Sequence, residues 1–371
     1  MNQPDLKLLR DSSIMIRTPG FIRIFCVTAV VILAISCPAF GADQIVRRSD
    51  RVTFRGEFTE MSTSVIKIKL TNGQIEEVPV SDIFTVRFDM EPATLSQGQS
   101  NERSGALDAA MEKYTQIQKE YAGDDKRLIA DVQFLIARTQ VKSALADPAA
   151  VVDATKAIAA FRSANKTNFR YLEATLLESQ LLSLDPANAA IAQGLLKEVQ
   201  AATVKGFQLQ AGVQLGRLLL SSNDAAGALA AFEDVIQKST GDASATAALF
   251  DGMLGKAQCQ QKQGQIDEAI TTLNEVITKA SETETQTLAE AWVLKGDCQR
   301  RKNLPKDALW SYLHVDILYA SEPAAHAEAL YRLASLWAPA GHQDRADEAQ
   351  ARLATRYPNS SWAKQGPAGT P

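Results

Sequence analysis

The feature that most constrains this chain is an internal repeat with a period of about 40 residues. In three successive copies an alanine is followed four positions later by a larger packing residue, and a small residue stands twelve positions before the alanine. This spacing is typical of helix A, a turn and helix B, because small side chains let two helices cross closely. The residues of the copies are Gly216, Ala228 and Phe232, then Ala257, Ala269 and Leu273, then Gly296, Ala308 and Tyr312. A mainly α solenoid of antiparallel helix pairs is therefore predicted.

These copies resemble the tetratricopeptide repeat (TPR) family, whose pattern combines an aromatic residue, a Leu-Gly pair, an alanine, a second aromatic residue and a closing proline. Trp292 supplies the first aromatic residue of the third copy, and a fourth copy contains Leu333, Ala334, Trp337, Ala346 and Tyr357-Pro358. Its ending, Arg-Tyr-Pro-Asn-Ser-Ser-Trp-Ala, is similar to the repeats of periplasmic proteins of the BamD and CpoB type. The resemblance implies TPR-like repeats over residues 205–363 and degenerate helical repeats over residues 105–204.

The resemblance also implies a binding surface, since helix A positions in this family line an inner groove that commonly receives a peptide or helix of a partner. Carried onto the four copies, these positions are Arg217, Leu220, Gln258, Gln261, Lys262, Asp297, Arg300, Arg301 and Tyr331. Their polar, partly cationic character would suit an extended or acidic segment. An ordinary solvated face would explain the same residues.

The region before the clear copies lacks most hallmark residues, but its apolar periodicity still predicts helices. These helices are expected over residues 126–145, 151–164, 169–184 and 187–202. Leu107 to Ala110, together with Tyr114, is predicted to form a helix B whose own helix A has been lost. The polar stretch 91–104 is predicted to be a linker in its place.

Residues 43–90 predict a small all-β module, because apolar and polar residues alternate with a period of two. The residues expected on buried strand faces are Val52, Phe54, Ile66, Ile68, Leu70, Phe84, Val86 and Phe88. Asn72-Gly73 predicts a type I′ hairpin, and Pro79 predicts an edge or interrupted strand. Four or five short strands suggest an SH3-like or Sm-like barrel.

This module carries a basic face, formed by Arg47, Arg48, Arg51, Arg55, Lys67 and Lys69. RNA binding is disfavoured, because the net charge of the whole chain is −4 and because the first 41 residues predict export. The face is interpreted as a solvated surface or as one that meets an acidic partner or a lipid surface.

The first 41 residues predict export. A basic start precedes residues 24–35, an uncharged and mostly apolar run of 12 residues. A helix of this length is too short for a hydrocarbon core of about 30 Å. Small residues then predict a secretory signal cleaved after Gly41. Ala34-Ile35-Ser36-Cys37 also resembles a bacterial lipobox, so a soluble periplasmic product and one anchored through lipidated Cys37 are alternatives.

No motif in the sequence indicates a cofactor, a metal site or a catalytic group. The three histidines, His314, His326 and His342, are scattered, which predicts solvent-facing or capping roles. Cys259 and Cys298 stand at equivalent helix A positions one repeat apart and are predicted to be buried, unlinked thiols.

The four tryptophans predict packing rather than a ligand site. Trp292, Trp310 and Trp337 are interpreted as packing residues, whereas Trp362 either caps the solenoid or remains available to a partner. Residues 364–371 are predicted to be a disordered tail.

Together these features predict a non-enzymatic scaffold of the bacterial cell envelope, whose partners are other envelope proteins or peptide segments. The alternative is a structural component that self-assembles or tethers envelope layers. An enzyme or redox protein is a more distant third hypothesis.

Overall fold

Fifteen α-helices occur in the part of the chain that the structure describes, residues 42–365 of a computed structural model. The predicted signal, its cleavage site, Cys37 and residues 366–371 lie outside the described residues. The helices are α1 Ala93–Arg103, α2 Leu107–Glu120, α3 Lys126–Ala144, α4 Val151–Ala164, α5 Tyr171–Leu182, α6 Ala189–Gln200, α7 Lys205–Ser221, α8 Ala225–Ser239, α9 Thr246–Lys262, α10 Ile266–Lys279, α11 Thr285–Arg301, α12 Pro305–Leu318, α13 Pro323–Trp337, α14 Gln343–Arg356 and α15 Ser361–Lys364. None of the helices in this range is both long and apolar enough to cross a membrane.

The helices pair in sequence into seven hairpins, from α1/α2 to α13/α14, and α15 packs against α13 and α14. Each odd-numbered helix is helix A of its hairpin, and from α3 onward each helix A also contacts the next one. The A helices therefore form the inner layer of the solenoid and the B helices its outer layer. The predicted fold class, a mainly α TPR-like solenoid preceded by β structure, is confirmed.

Helix B of every hairpin buries one alanine where it crosses helix A. These alanines are Ala110, Ala154, Ala192, Ala228, Ala269, Ala308 and Ala346, and none is more than 5% exposed. Four residues later a large apolar or aromatic side chain is fully buried in the first six hairpins, namely Tyr114, Ile158, Leu196, Phe232, Leu273 and Tyr312. Residues 105–204 thus continue the same register, which the sequence obscures because alanine is frequent throughout.

The stretch 91–104, predicted to be a linker, contains helix α1 instead. A Cβ added at Gly98 would lie 2.6 Å from a ring carbon of Tyr114, as one at Gly216 would from the ring of Phe232. Gly98 and Tyr114 therefore mark a complete first hairpin, and the predicted loss of its helix A is wrong. Polar residues hid this helix, because its buried face includes Gln99 and Glu102 beside the apolar Leu95.

The β module is one antiparallel sheet of five strands: β1 Asp43–Arg47, β2 Thr53–Met61, β3 Val65–Leu70, β4 Ile75–Pro79 and β5 Ile83–Arg87. Its strand order is β4-β3-β2-β1-β5, so β4 and β5 are edges and, within the described residues, do not pair with each other. The predicted barrel-like module is therefore an antiparallel sheet of five strands that does not close into a barrel. Pro79 ends an edge strand, as predicted, and a short 3-10 helix, Val80–Asp82, carries the chain from one edge to the other.

The β3–β4 turn differs from the predicted type I′ hairpin. Gly73 is in the left-handed region, with φ of 85°, but Asn72 has no positive φ. The Gly73 N–H donates to the Leu70 carbonyl at 2.8 Å. This is a turn closed by one glycine in the left-handed region, where a type I′ turn needs two residues with positive φ.

Two residues predicted to lie on buried strand faces, Val52 and Phe84, are exposed instead. Val52 is 41% exposed and stands directly before β2. Consecutive β1 residues Val46 and Arg47 pair with Thr85 and Ile83, so Phe84 is an extra residue in β5. The resulting bulge turns its side chain outward, and Phe84 is 38% exposed.

The sheet is not a separate domain but packs on the A-helix side of the solenoid. Asp43 of β1 pairs with Arg127 of α3 at 3.0 Å, and Arg127 lies over the rings of Phe58 and Phe88. At the far side Ser81 meets Gly206, near the start of α7. One continuous hydrophobic core includes buried residues from β1 to α7.

Buried ion pairs connect the first three A helices, where TPR hallmark residues are scarce. Arg138 of α3 donates to Glu102 of α1 at 2.7 and 2.8 Å and to Glu173 of α5 at 3.2 Å. Lys142 also pairs with Glu102 at 2.8 Å, and the Tyr114 hydroxyl donates a hydrogen bond to the Glu102 carboxylate at 2.9 Å. The Glu102 side chain is only 1% exposed, so it depends on these partners to remain charged.

Candidate functional site

The predicted groove residues of α7 have different environments. Arg217 is exposed, and its Nη2 lies 2.8 Å from Oδ1 of Asp251 on α9. Leu220 is only 8% exposed and packs in the core cluster that contains Phe232 and Cys259. Its assignment to a groove lining is wrong, because the side of α7 that carries Leu220 faces the neighbouring helices rather than solvent.

Two cationic groove residues tie successive A helices together. The Lys262 ammonium donates to the Leu220 carbonyl at 2.9 Å, and Nη1 of Arg301 donates to the Gln261 carbonyl at 2.9 Å. Each side chain reaches from the end of one helix A to the end of the preceding one. Each of these carbonyls lies in the last turn of its helix and otherwise accepts a longer backbone hydrogen bond of 3.3 Å, from Asn223 or Gly264. The side-chain contacts therefore give Lys262 and Arg301 a structural role.

A polar cluster surrounds Asp297 between α11, α12 and α13. Asp297 accepts a hydrogen bond from the Tyr312 hydroxyl at 2.6 Å and lies 3.2 Å from Nε of Arg332. Burial and the nearby Asp297 raise the pKa of Glu328, which also pairs with Arg332. Arg300 is half-buried, with its Nε 3.9 Å from Asp297. Asp297 therefore supports the buried Tyr312 rather than facing freely into a groove.

The C-terminal end of the inner face is closed by α15. Trp362 packs against Tyr331, with ring centroids 5.3 Å apart, and Arg332 stacks over the Trp362 ring at 4.8 Å. Trp362 therefore caps the solenoid, which is the first of the two predicted alternatives. Tyr331 is covered in part by this cap, and Gln258 on α9 is half-buried.

A large cleft opens where the sheet approaches the inner face of α7 and α9. This cleft, which we call the sheet–helix cleft, has a volume of about 1010 Å³. The sheet contributes one wall through Arg48, Ser49, Ser64, Val65, Pro79, Ser81 and Asp82. The helices contribute the other through residues that include Gln210, Val213, Gln214, Arg217, Ser244 and Asp251. Of the predicted groove residues, Arg217 alone is among those that line it.

The charges of the sheet–helix cleft are paired across its helical wall but remain accessible. Arg217 and Asp251 are about half exposed, with side-chain values of 57% and 42%. Burial raises the pKa of Asp251, and the nearby Arg217 opposes this shift. On the sheet wall Asp82 accepts hydrogen bonds from the N–H and hydroxyl of Ser49. The cleft therefore offers donors and acceptors on both sides to a polar or extended ligand.

The three histidines occupy unlike environments. His326 is fully buried and bonds through Nε2 to Asp316 at 2.8 Å and through Nδ1 to the Tyr357 hydroxyl at 2.7 Å. Its predicted solvent-facing or capping role is wrong, since it links helices inside the last hairpins. His314 stacks on Trp292 with ring centroids 4.0 Å apart, and His342 precedes α14 at its N-cap. No cluster of metal-binding side chains occurs in the described range.

The cysteines and one tryptophan complete the predicted residues. Cys259 and Cys298 are free and buried, and burial raises the pKa of each thiol to about 11. Trp310 is 65% exposed, so its interpretation as a packing residue is wrong. Ile317 and Leu318 of the same helix, α12, are also exposed.

The predicted basic face of the sheet is partly neutralised. Arg47 pairs with Asp50, Lys67 lies between Glu60 and Glu77 at 3.2 and 3.1 Å, and Arg48 donates to the Ile83 carbonyl. Among the described residues, no ion pair involves the other three, Arg51, Arg55 and Lys69.

Comparisons with known proteins identify the repeats. Two segments, residues 219–291 and 328–360, match models of the tetratricopeptide repeat. A tetratricopeptide repeat protein from Parabacteroides merdae is 14% identical with a TM-score of 0.53, over 73% of this chain and 95% of that one. PilW, a type IV pilus biogenesis factor, is 14% identical with a TM-score of 0.47, over 66% of this chain and 99% of that one. No curated protein sequence matches the chain. Residues 219–291 and 328–360 therefore carry tetratricopeptide repeats.

Proposed function

We propose that this chain is a non-enzymatic scaffold that binds an extended segment of a partner protein in the sheet–helix cleft. Proteins built from tetratricopeptide repeats typically act as protein-interaction scaffolds. The observation that carries the proposal is the two-walled cleft itself, with polar side chains on the sheet and on α7 and α9. Its volume lies at the upper end of the range of about 300 to 1,000 Å³ for small-molecule sites, so it has room for several peptide residues.

Arg217 is the residue through which this proposal is tested. Replacing it by glutamate places two like charges together at Asp251 and reverses the charge of the helical wall. In a pull-down from solubilised envelope membranes, Arg217→Glu is expected to retain specific partners about tenfold less than wild type. Quantitative mass spectrometry of the bound proteins measures the ratio.

A matched control is available on the outer layer. Lys238 pairs with Asp234 on α8 at 2.8 Å, and both side chains are about as exposed as those of Arg217 and Asp251. Lys238→Glu makes the same charge reversal outside the cleft and is expected to leave partner retention unchanged. Equal retention by the two variants would show that the cleft is not the binding site.

We further propose that the scaffold acts in the bacterial cell envelope. The basic start, the 12-residue apolar run and the small residues before Ala42 support export. The intact mass of the protein purified from its native cells is expected to place the N-terminus at Ala42, or at a lipidated Cys37 if the lipobox is used. A mass that retains Met1 or Met15 would contradict both forms.

A further inference from the structure

An arginine–phenylalanine cluster, formed by Arg51 and Phe84 of the β module and Arg103 of α1, lies outside the lining of the cleft. The guanidinium carbon of Arg51 lies 3.7 Å from the centroid of the Phe84 ring, and that of Arg103 lies 5.7 Å from it. All three side chains are exposed. Two cations are thus held beside one aromatic ring, an arrangement that orients guanidinium groups without neutralising them.

Two uncommon features of the backbone, a positive φ angle and a β-bulge, help to form this cluster. Arg51 has a φ of 60°, a left-handed conformation that non-glycine residues adopt rarely. Phe84 is exposed because it is the extra residue of the β5 bulge. A third element, α1, supplies Arg103 as its last residue. Three separate elements therefore contribute to one surface feature.

The arginines of the cluster retain their charge for a ligand. In the described part of the chain neither Arg51 nor Arg103 forms an ion pair, although the neighbouring turn contains a carboxylate. Asp50 is already paired with Arg47, and Asp82 accepts hydrogen bonds from Ser49. A guanidinium stacked on a ring keeps its N–H edge free, and that edge matches the two oxygens of a carboxylate or phosphate.

We propose that the arginine–phenylalanine cluster binds carboxylate side chains of an acidic, extended segment of a partner protein. Besides the charge of the arginines, the position of Phe84 on β5 supports this choice. Within residues 42–365, β5 is an edge strand that pairs on one side only, with β1, so an added strand has backbone groups to bind. A lipid headgroup would use the arginines but not the strand edge, and the Phe84 ring lies beneath a guanidinium rather than free to enter a bilayer.

The cluster also adjoins the cleft. Arg51 follows the cleft residues Arg48 and Ser49 in the same turn, and Phe84 stands two residues after Asp82. A segment that leaves the cleft along the sheet would therefore meet the cluster. This inference goes beyond the proposed function, because it adds a second contact surface and specifies an acidic composition for what binds there.

The test uses a fluorescein-labelled peptide of twenty glutamate residues, with binding followed by fluorescence anisotropy at low salt. The double variant Arg51→Gln with Arg103→Gln is expected to bind the peptide about tenfold more weakly than wild type. Phe84→Leu keeps both charges but removes the ring and is expected to weaken binding severalfold. Thermal melts verify that each variant is folded. If the double variant does not fold, the affinity of Phe84→Leu decides the test.

The control is Arg55→Gln with Lys69→Gln, which removes two exposed charges from the same sheet outside the cluster. It is expected to change affinity by less than about twofold. An equal loss in both double variants, or no binding by wild type, would overturn the proposal. So would binding to phosphatidylglycerol vesicles that needs Arg51 and Arg103 when the peptide does not bind. Failure of the cleft proposal is scored separately, because that proposal is tested by partner retention in Arg217→Glu and Lys238→Glu and not by binding of this peptide.

Discussion

Replacing Ala308 by glutamate is expected to lower the free energy of unfolding by several kcal/mol, about 3 to 5. Ala308 is fully buried on α12, at the crossing with α11, and belongs to the core cluster of the last hairpins. The longer side chain would push the two helices apart and leave an unpaired carboxylate in an apolar environment. Urea or thermal melts followed by circular dichroism measure the loss.

The matched control for this substitution is Ala230 on α8, which is exposed on its helix. Ala230→Glu makes the same chemical change in water and is expected to alter stability by less than about 0.5 kcal/mol. Similar melting curves for the two variants would contradict the repeat register, since the register rests on this alanine being at a helix crossing.

Removing the charge of Glu102 is expected to destabilise the first three hairpins by about 3 kcal/mol. Glu102→Gln keeps the shape of the side chain but leaves Lys142 unpaired and Arg138 with Glu173 alone. The loss is measured from the unfolding transition of the N-terminal half. Glu112→Gln on α2, where the side chain is 74% exposed, is the control and is expected to cost less than about 0.5 kcal/mol.

The ion pairs of Glu102 also make the free energy of unfolding depend on pH. Burial alone would raise the pKa of Glu102, but the hydrogen bonds and charges of Arg138 and Lys142 hold it at about 2. The pKa in the unfolded chain is about 4.3, so the unfolded state binds this proton first. The stabilisation is therefore complete above that value and is lost as the pH falls towards 2. The difference between wild type and Glu102→Gln should shrink between pH 5 and pH 2, and a constant difference would contradict the assigned ion pairs.

The repeats could be predicted from the sequence because their signal is local. Small and large residues at fixed spacing, such as Ala308 and Tyr312, determine one helix crossing each. Helix α1 was hidden because the residues it buries include Gln99 and Glu102, whose partners are on other helices. The alanines Ala154 and Ala192 carry the same signal but cannot be told from the many other alanines by spacing alone.

The candidate site was much less predictable, since it depends on contacts between distant parts of the chain. The position of Arg217 in the repeat predicts that it lines a binding surface. The sequence does not predict that the sheet forms the opposite wall. The groove assignment of Leu220 is wrong because the family's helix A positions do not specify how α7 packs against α9. The exposure of Phe84 depends on a bulge that shifts the strand register by one residue.

The contact between Ser81 and Gly206 also changes how the chain folds. In an ordinary solenoid each repeat touches only its neighbours, so stability is nearly additive and unfolding can proceed repeat by repeat. Here the sheet bridges from α3 to α7, and a single core contains residues from β1 to α7, whereas the later cores each join adjoining hairpins. The first half is therefore expected to fold as one cooperative unit that includes α7. It has the slower folding expected of non-local contacts, while the last hairpins can form by local steps.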